Sequence, residues 1–387
     1  MLKDAILALM MSLLFLVFVS PSSKLSLTEK KHVEIDSHSE LVPGETSLPR
    51  MPAPLEPRDI YAADEPNKLD SVVETFPRRI YVPNSASATV DVIDPATFKI
   101  VDHFSVGQQP QHIVPSYDLK SLWVLDDRGN SLIKIDPSTG RKGETFPVRD
   151  PYNLYFTPNG DDAIVVAERL RRLDFRDPQT MTLKYSLPVP CKGVNHIDFS
   201  ANGRDFLASC EFDGKLLKVD VEARKVLNIL QLDHHSMPQD VRLSPDGEVF
   251  YVADMGVNGV HIIDARQFTQ IGFLHTGRGA HGLFVSRDSR YLYVSNRGEG
   301  SISVVDFSKR EVIQKWRLPH RGSPDMGGIS ADGTVLWAAG RYNAEVYAMD
   351  ISTGSLIARI RVGRGPHGLC VYPQPGRYSL GHTGMFR

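Results

Sequence analysis

From Ile80 onward the chain alternates apolar and polar residues in short runs with a period of two, each run stopped by Gly, Asn, Asp, Ser or Pro. That pattern predicts β-strands and tight turns rather than helices. The stretch from Tyr291 to Leu318, YLYVSNRGEGSISVVDFSKREVIQKWRL, shows it in full. Three β-prone runs, LYVSN, SISVVD and EVIQKWRL, are separated by the turn-like Arg297-Gly298-Glu299-Gly300 and Phe307-Ser308-Lys309-Arg310. Comparable copies start at Ile80, Leu122, Ile164, Phe206, Phe250 and Leu336, making seven.

One column measures the register. An Asp closes each copy at Asp94, Asp136, Asp177, Asp220, Asp264, Asp306 and Asp350, with spacings of 42, 41, 43, 44, 42 and 44. Such a period, with four strands per unit, predicts β-propeller blades. The repeated Asp is expected to bond the backbone of its own turn and not to carry chemistry. A fourth strand in each unit follows a Gly- or Pro-rich loop, as in QHIVPS, HIDFSA, GLFVSR and GLCVYP. The first copy lacks this strand and the last ends with it, so GLCVYP is predicted to pair beside IYVPN and close the ring. The fold class is thus all-β: a seven-bladed propeller of four-stranded antiparallel blades over residues 78–387, with a short C-terminal tail. HGLCVYP-type runs are innermost and EVIQKWRL-type runs outermost. The copy at Ala163–Asp177 has ERLRRLDF where the others carry a Gly or Asn turn, and an irregular blade is expected there.

Ahead of the repeats the pattern changes twice. Residues 1–22 place Lys3 before an apolar run from Ala5 to Val19 and then Ser and Pro, the shape of a secretory signal or a retained N-terminal anchor. The run is short for a membrane span, no A-x-A site follows it, and no cysteine follows for lipidation. Residues 23–77 hold seven prolines among charged and small residues and read as an extended linker. SVVETF within it is a candidate extra edge strand, and His32 and His38 read as incidental. An extracytoplasmic location follows: periplasmic, secreted or cell-surface, with or without a membrane tether.

Charge narrows the partners. Lys+Arg of 44 against Asp+Glu of 46 gives a net charge of -2, which argues against nucleic acid. Of three cysteines, Cys191 and Cys210 are close enough to pair in an oxidising compartment, leaving Cys370 over. A monomer is expected.

The strand-and-turn units LYVSN…SISVVD, the loops TGRGAHG and VGRGPHG and turns such as SPDG resemble the YVTN-type β-propeller repeats of YncE-like and surface-antigen-like proteins, over roughly residues 80–373. The resemblance implies the fold. For function it implies a range: periplasmic and surface-associated binding proteins, with related propellers that include sugar-acid lactonases, quinoprotein dehydrogenase subunits and haem-handling domains.

Propellers bind ligands at one mouth of the channel, where loops entering inner strands meet loops leaving second strands. The register predicts Gln111-His112, Tyr152-Asn153, Asn195-His196, Gln239-Asp240, His281-Gly282, Asp325-Met326 and His367-Gly368 on the entering side. On the leaving side it predicts Asn84, Asp126, Glu168, Cys210-Glu211, Asp254, Asn296-Arg297 and Arg341. The candidate ligand set is therefore His112, Asp126, Asn153, Glu168, His196, Asp240, Asp254, His281, Asn296, Arg297, Asp325, Arg341 and His367. Polar residues lining a wet channel would look the same. Arg278, Arg297, Arg321, Arg341 and Arg364 fall in the last blades and carboxylates in the earlier ones, a division suited to an anionic ligand.

Three functions fit these residues. The leading one is a binding or scaffold protein for a small molecule or a protein at this mouth. The second is a lactonase-like hydrolase with His281 as acid–base and Arg297 stabilising the oxyanion, for which the SNRG stretch is similar to lactonase propellers. The third is a haem- or metal-handling propeller using His112, His196 or His367. No H-E-x-x-H, C-x-x-C, EF-hand or G-x-S-x-G motif is present, so neither a cofactor nor a nucleophile is named by the sequence.

Overall fold

The computed structural model describes residues 46–387. The apolar run of residues 1–22, His32 and His38 lie outside the described residues. Seven antiparallel sheets form the propeller. Blade 2 shows the plan, with Pro110–Pro115 innermost, then Leu122–Asp126, Ser131–Asp136 and Arg141–Pro147. Blade 1 is closed by the chain end: Cys370–Tyr372 pairs with Arg79–Asn84, Ile80 opposite Val371, as the offset of the first and last repeats predicts. Inner and second strands are buried along nearly their whole length, while outer strands such as Glu311–Arg317 face solvent.

The core lies between blades. The same strand presents alternate side chains to two neighbouring sheets, so Ile80 and Val82 of blade 1 pack with Trp337, Ala339 and Val346 of blade 7. Val114 and Trp123 of blade 2 likewise meet Leu154, Phe156 and Val165 of blade 3. The repeated Asp residues cap turns: Asp136 accepts the Ser138 N–H, Asp306 those of Ser308 and Lys309, Asp350 that of Thr353. Blade 3, expected to be irregular, has a full set of strands, Asn153–Phe156, Ala163–Ala167, Arg172–Arg176 and Leu183–Pro188.

Two segments differ from the expected linker and tail. Residues 46–77 follow the propeller face on which inner strands turn into second strands. Leu48 N–H donates to Asn202 O, Ile60 N–H to Pro245 O and Asn67 N–H to Ala331 O, and Leu48, Tyr61 and Val73 are buried. Proline there shapes a bound strap rather than a free spacer, and SVVETF is a turn with Val73 inserted in the core, not a strand.

The C-terminal segment does more. Ser379–Gly381 and Met385–Phe386 form a hairpin that adds two strands to blade 3 on its axial side, Gly381 facing Tyr155. It touches inner strands around the ring: Ser379 Oγ donates to Pro115 O, His382 N–H to Leu154 O and Thr383 Oγ1 to Gly327 O. The hairpin therefore fills the channel from the strap side. Its end is fastened by Arg387, whose Nη2 donates to Asp198 Oδ1 at 3.0 Å and whose guanidinium lies 4.4 Å from the Tyr61 ring centre.

Candidate functional site

The axial residues come from a repeated irregularity. In blades 2, 4, 5, 6 and 7 the inner strand skips register beside the second strand, as between Pro110 and Ile113 opposite Asp126 and Val124. A bulge places two residues opposite one and re-aims side chains. Here the extra pair is Gln111-His112, Asn195-His196, Gln239-Asp240, His281-Gly282 and Asp325-Met326, and the result is two layers on the axis.

The upper layer, at the mouth, centres on Asp325. His281 Nδ1 lies 2.9 Å from Asp325 Oδ1, outside hydrogen-bond alignment. Arg297 Nη1 lies 3.3 Å from the same oxygen, His367 Nε2 3.6 Å and Arg341 Nε 4.0 Å from Oδ2. Burial would raise the Asp325 carboxyl, but the groups at His281, Arg297 and His367 outweigh it and hold it well below the usual carboxylate range. Burial also pushes His367 well below an ordinary imidazole, which leaves Arg297 as the permanent positive charge beside Asp325. Tyr152 borders this layer at His367, with ring centres 6.5 Å apart, and stands edge-on to His112 at 5.3 Å and His196 at 6.0 Å.

The lower layer holds His112, Asn153, His196 and Asp240. Gly368 makes room for the His112 ring, which a Cβ there would strike. His382 of the C-terminal hairpin enters this layer, with its ring centre 4.9 Å from His196 and 5.3 Å from His112. His112 Nδ1–H donates to Tyr152 O at 2.9 Å, which turns Nε2 inward as a lone pair. Asn153 Oδ1 accepts the Leu154 N–H, which turns Nδ2 toward Nδ1 of His196 at 3.1 Å and Nδ1 of His382 at 3.0 Å. The Nε2 atoms of His112, His196 and His382 have no hydrogen-bond partner. Asp240 Oδ1 comes no closer to His382 Nε2 than 3.5 Å and is itself held by Arg242 at 3.1 Å. Desolvation pushes His112 and His196 well below the usual imidazole value, and lowers His382.

Among the described residues two groups could take a cation, one per layer: His112 with His196 and His382, and His281 with Asp325 and His367. In each, one ligand atom per residue lies within 4.8 Å of the others. The second already faces Arg297 and Arg341, which oppose a further positive charge.

The leaving-side residues divide. Asp126, Asp254 and Asn296 are fully buried but turn into their own blades. Asp126 Oδ2 accepts from Gly107 N–H and Ser131 Oγ; Asp254 Oδ1 accepts from Met237, Gly256 and Val257 N–H; Asn296 Nδ2 donates to Ser301 and Ser303. These are corrections to the expected mouth. Strand alternation sends the last residue of the second strand against the preceding loop, where Gly107, Gly277 and Gly363 make room: a Cβ on Gly107 would sit 2.6 Å from Asp126 Oδ2. The next residue faces the mouth, which gives the column Ser85, Asp127, Glu168, Glu211, Met255, Arg297 and Arg341. Glu168 is raised to about 8 by burial and by Glu211 nearby. Of the five arginines only Arg297 and Arg341 reach the axis, while Arg278, Arg321 and Arg364 are exposed. Cys191 and Cys210 are joined by a disulfide and buried beneath the blade 4 loop.

His382 was invisible to the repeat register because it lies after the last repeat. The faint signal was GHTG, a histidine between glycines in a stretch otherwise treated as tail.

Comparison with known proteins agrees with this architecture. Antigen Lp49 of Leptospira interrogans is 20% identical over 322 residues, covering 73% of this chain and 67% of that one. A 6-phosphogluconolactonase of Yersinia pseudotuberculosis is 23% identical over 296 residues, covering 68% and 82%. The structure of Kuenenia stuttgartiensis hydrazine synthase superposes with a TM-score of 0.60 at 17% identity over 76% of this chain and 94% of that one, a likeness of fold alone. The sequence profile of YncE-like β-propellers matches residues 66–376, and the chain belongs to that family.

Proposed function

We propose that this chain is an exported binding propeller that encloses a small ligand on its axis, with Tyr152, Arg297 and Arg341 above it and the C-terminal hairpin below. One observation carries the reading: five imidazoles converge there, and the buried Nε2 atoms of three of them, His112, His196 and His382, make no hydrogen bond within the protein. A buried polar atom left unpaired costs about 1–3 kcal/mol, so three together mark a place where something else satisfies them. Ring centres 4.8 Å apart for His112 and His367, and 6.3 Å for His196 and His281, suit an ion or a very compact group rather than a sugar ring. The Cys191–Cys210 bridge supports an oxidising compartment and hence export.

The lactonase reading has its own support, since a relative carries that name and His281 and Arg297 do meet. They meet on Asp325, with His281 only 2% exposed, and Arg297 is held there by the carboxylate it would have to leave.

Two measurements on purified protein decide between these. Native mass spectrometry against the denatured mass should reveal a bound species of low mass. Hydrolysis of 6-phosphogluconolactone should stay at the background rate. Turnover that disappears in His281→Ala would overturn the binding assignment in favour of the hydrolase.

A further inference from the structure

We infer that His112, His196 and His382 form a three-imidazole site for a borderline divalent metal ion of the Zn2+ or Cu2+ kind, and that the C-terminal hairpin supplies one of the ligands. The proposal rests on the enclosed axial site argued above and names what occupies it.

Three features converge. One ligand atom of each histidine lies within 4.8 Å of the others, so one ion can reach all three. All three side chains are fully buried, and their Nε2 atoms make no hydrogen bond in the protein, that of His382 having only the Asp240 carboxylate at 3.5 Å. The donors are nitrogen only, which favours ions that accept imidazole over Mg2+ or Ca2+, whose preference is for oxygen. His112 is already oriented for the task, because Tyr152 O accepts from its Nδ1 and leaves the Nε2 lone pair on the axis.

Asn153 sets the other two. Asn153 Nδ2 lies 3.0 Å from His382 Nδ1 and 3.1 Å from both His196 Nδ1 and the Tyr155 hydroxyl, itself 3.4 Å from His196 Nδ1; with its two hydrogens given to the rings, both rings accept at Nδ1 and keep their protons on Nε2. With Nδ1 of both rings taken by Asn153, an ion on the axis would draw on the Nε2 lone pairs. Binding is therefore coupled to a half-turn of the Asn153 carboxamide, which brings Oδ1 to accept the two Nδ1–H groups at the cost of the Leu154 N–H bond. Asn153 is a positioning residue: an acceptor fixed at this place favours the ion, and a side chain without an acceptor opposes it.

His382, unlike His112 and His196, stands on the hairpin and not on a blade strand. It is held by its own N–H on Leu154 O, by Thr383 Oγ1 on Gly327 O and by Arg387 on Asp198. An ion on all three imidazoles would pin the hairpin in the channel.

The test uses the full chain without a histidine tag, stripped with chelator and dialysed. Co2+ is titrated as a visible-absorbing stand-in, Zn2+ by calorimetry, and Mg2+ as a control. The expected result is one Zn2+ or Co2+ per chain, tetrahedral-type Co2+ bands, and no response to Mg2+. His382→Ala should weaken Zn2+ by about 100-fold or more, as loss of a ligand exceeds the 10–100-fold typical of losing its outer partner. Asn153→Asp should tighten Zn2+ and Asn153→Leu should weaken it, a split that a merely structural asparagine would not give. His234→Ala with His235→Ala removes an exposed pair whose rings are 4.7 Å apart and should change nothing. Should His382→Ala fail to fold, the Asn153 pair carries the decision. Absence of stoichiometric Zn2+ and Co2+ binding, or binding indifferent to both His382 and Asn153, overturns the metal site. If native mass spectrometry shows a bound non-metal species in that case, the enclosed binding site stands and only its occupant is wrong.

Discussion

Asn153 Nδ2 stands 3.0 Å from Nδ1 of His382, so a residue on the inner strand of blade 3 is bonded to one 229 positions further along the chain. The contact joins the propeller to its own C-terminus at the centre of the channel. It also links the tautomer of His382 to that of His196, since one carboxamide serves both rings.

Seating of the hairpin depends on Gly381. Its φ of +100° is open to glycine and strained for other residues. A Cβ there would run into Leu154 O and sit 2.6 Å from Tyr155 Cα. Gly381→Ala should cost about 2 kcal/mol or more, read by urea unfolding, and should let carboxypeptidase trim the chain end that the wild type protects.

Asp325 balances the upper layer. Replacing it with Asn leaves Arg297, its side chain 10% exposed, without its counter-charge. Breaking a buried pair from one side typically costs 3–5 kcal/mol. Asp325→Asn should lower the urea midpoint accordingly, whereas Arg297→Met with Asp325→Leu should recover much of the loss. Equal effects of the single and double changes would show that the pair is not what holds this layer.

Asp126 should leave a mark on stability against pH. Burial raises its carboxyl to about 6, against the opposing bonds from Gly107 N–H and Ser131. In the unfolded chain the group ionises near pH 4, so as pH rises between those values the unfolded state loses its proton first. Stability attributable to Asp126 therefore falls from about pH 4 to about pH 6 and is flat above, a change on the order of 3 kcal/mol. Denaturation at pH 4.5 and 6.5 should show a smaller difference in Asp126→Asn than in the wild type.

The disulfide closes a loop with a sequence separation of 19. Loop-closure entropy puts its contribution at about 3 kcal/mol. Cys191→Ser with Cys210→Ser should lower Tm relative to the oxidised wild type, and dithiothreitol should then have no further effect. A wild type insensitive to reductant under unfolding conditions would contradict this.

Seven copies of a unit, each closed by an Asp whose carboxylate caps its own turn, specify the blade locally, so blade number, strand order and ring closure were all legible along the chain. So was the pairing of inner residues such as His112, His196, His281 and Asp325, because the loop before each inner strand recurs at a constant place in the unit. Less legible was which way a strand-end residue turns. Asp126, Asp254 and Asn296 differ from Glu168, Arg297 and Arg341 by one position, and in an alternating strand one position is the difference between the blade interior and the mouth. Proline content misled at residues 46–77, because proline fixes backbone shape but says nothing about whether a surface lies beneath it.

By itself, then, the sequence determined the repeating part of this protein, since strand alternation and turn chemistry act over a few residues and recur. Only the tertiary structure decided the centre. Residues from six inner strands and from the hairpin after the last repeat meet on the axis because the ring brings them there, and no local pattern records a contact between Asn153 and His382. The chain end fills the centre, where the His382 ring packs on His112 and His196.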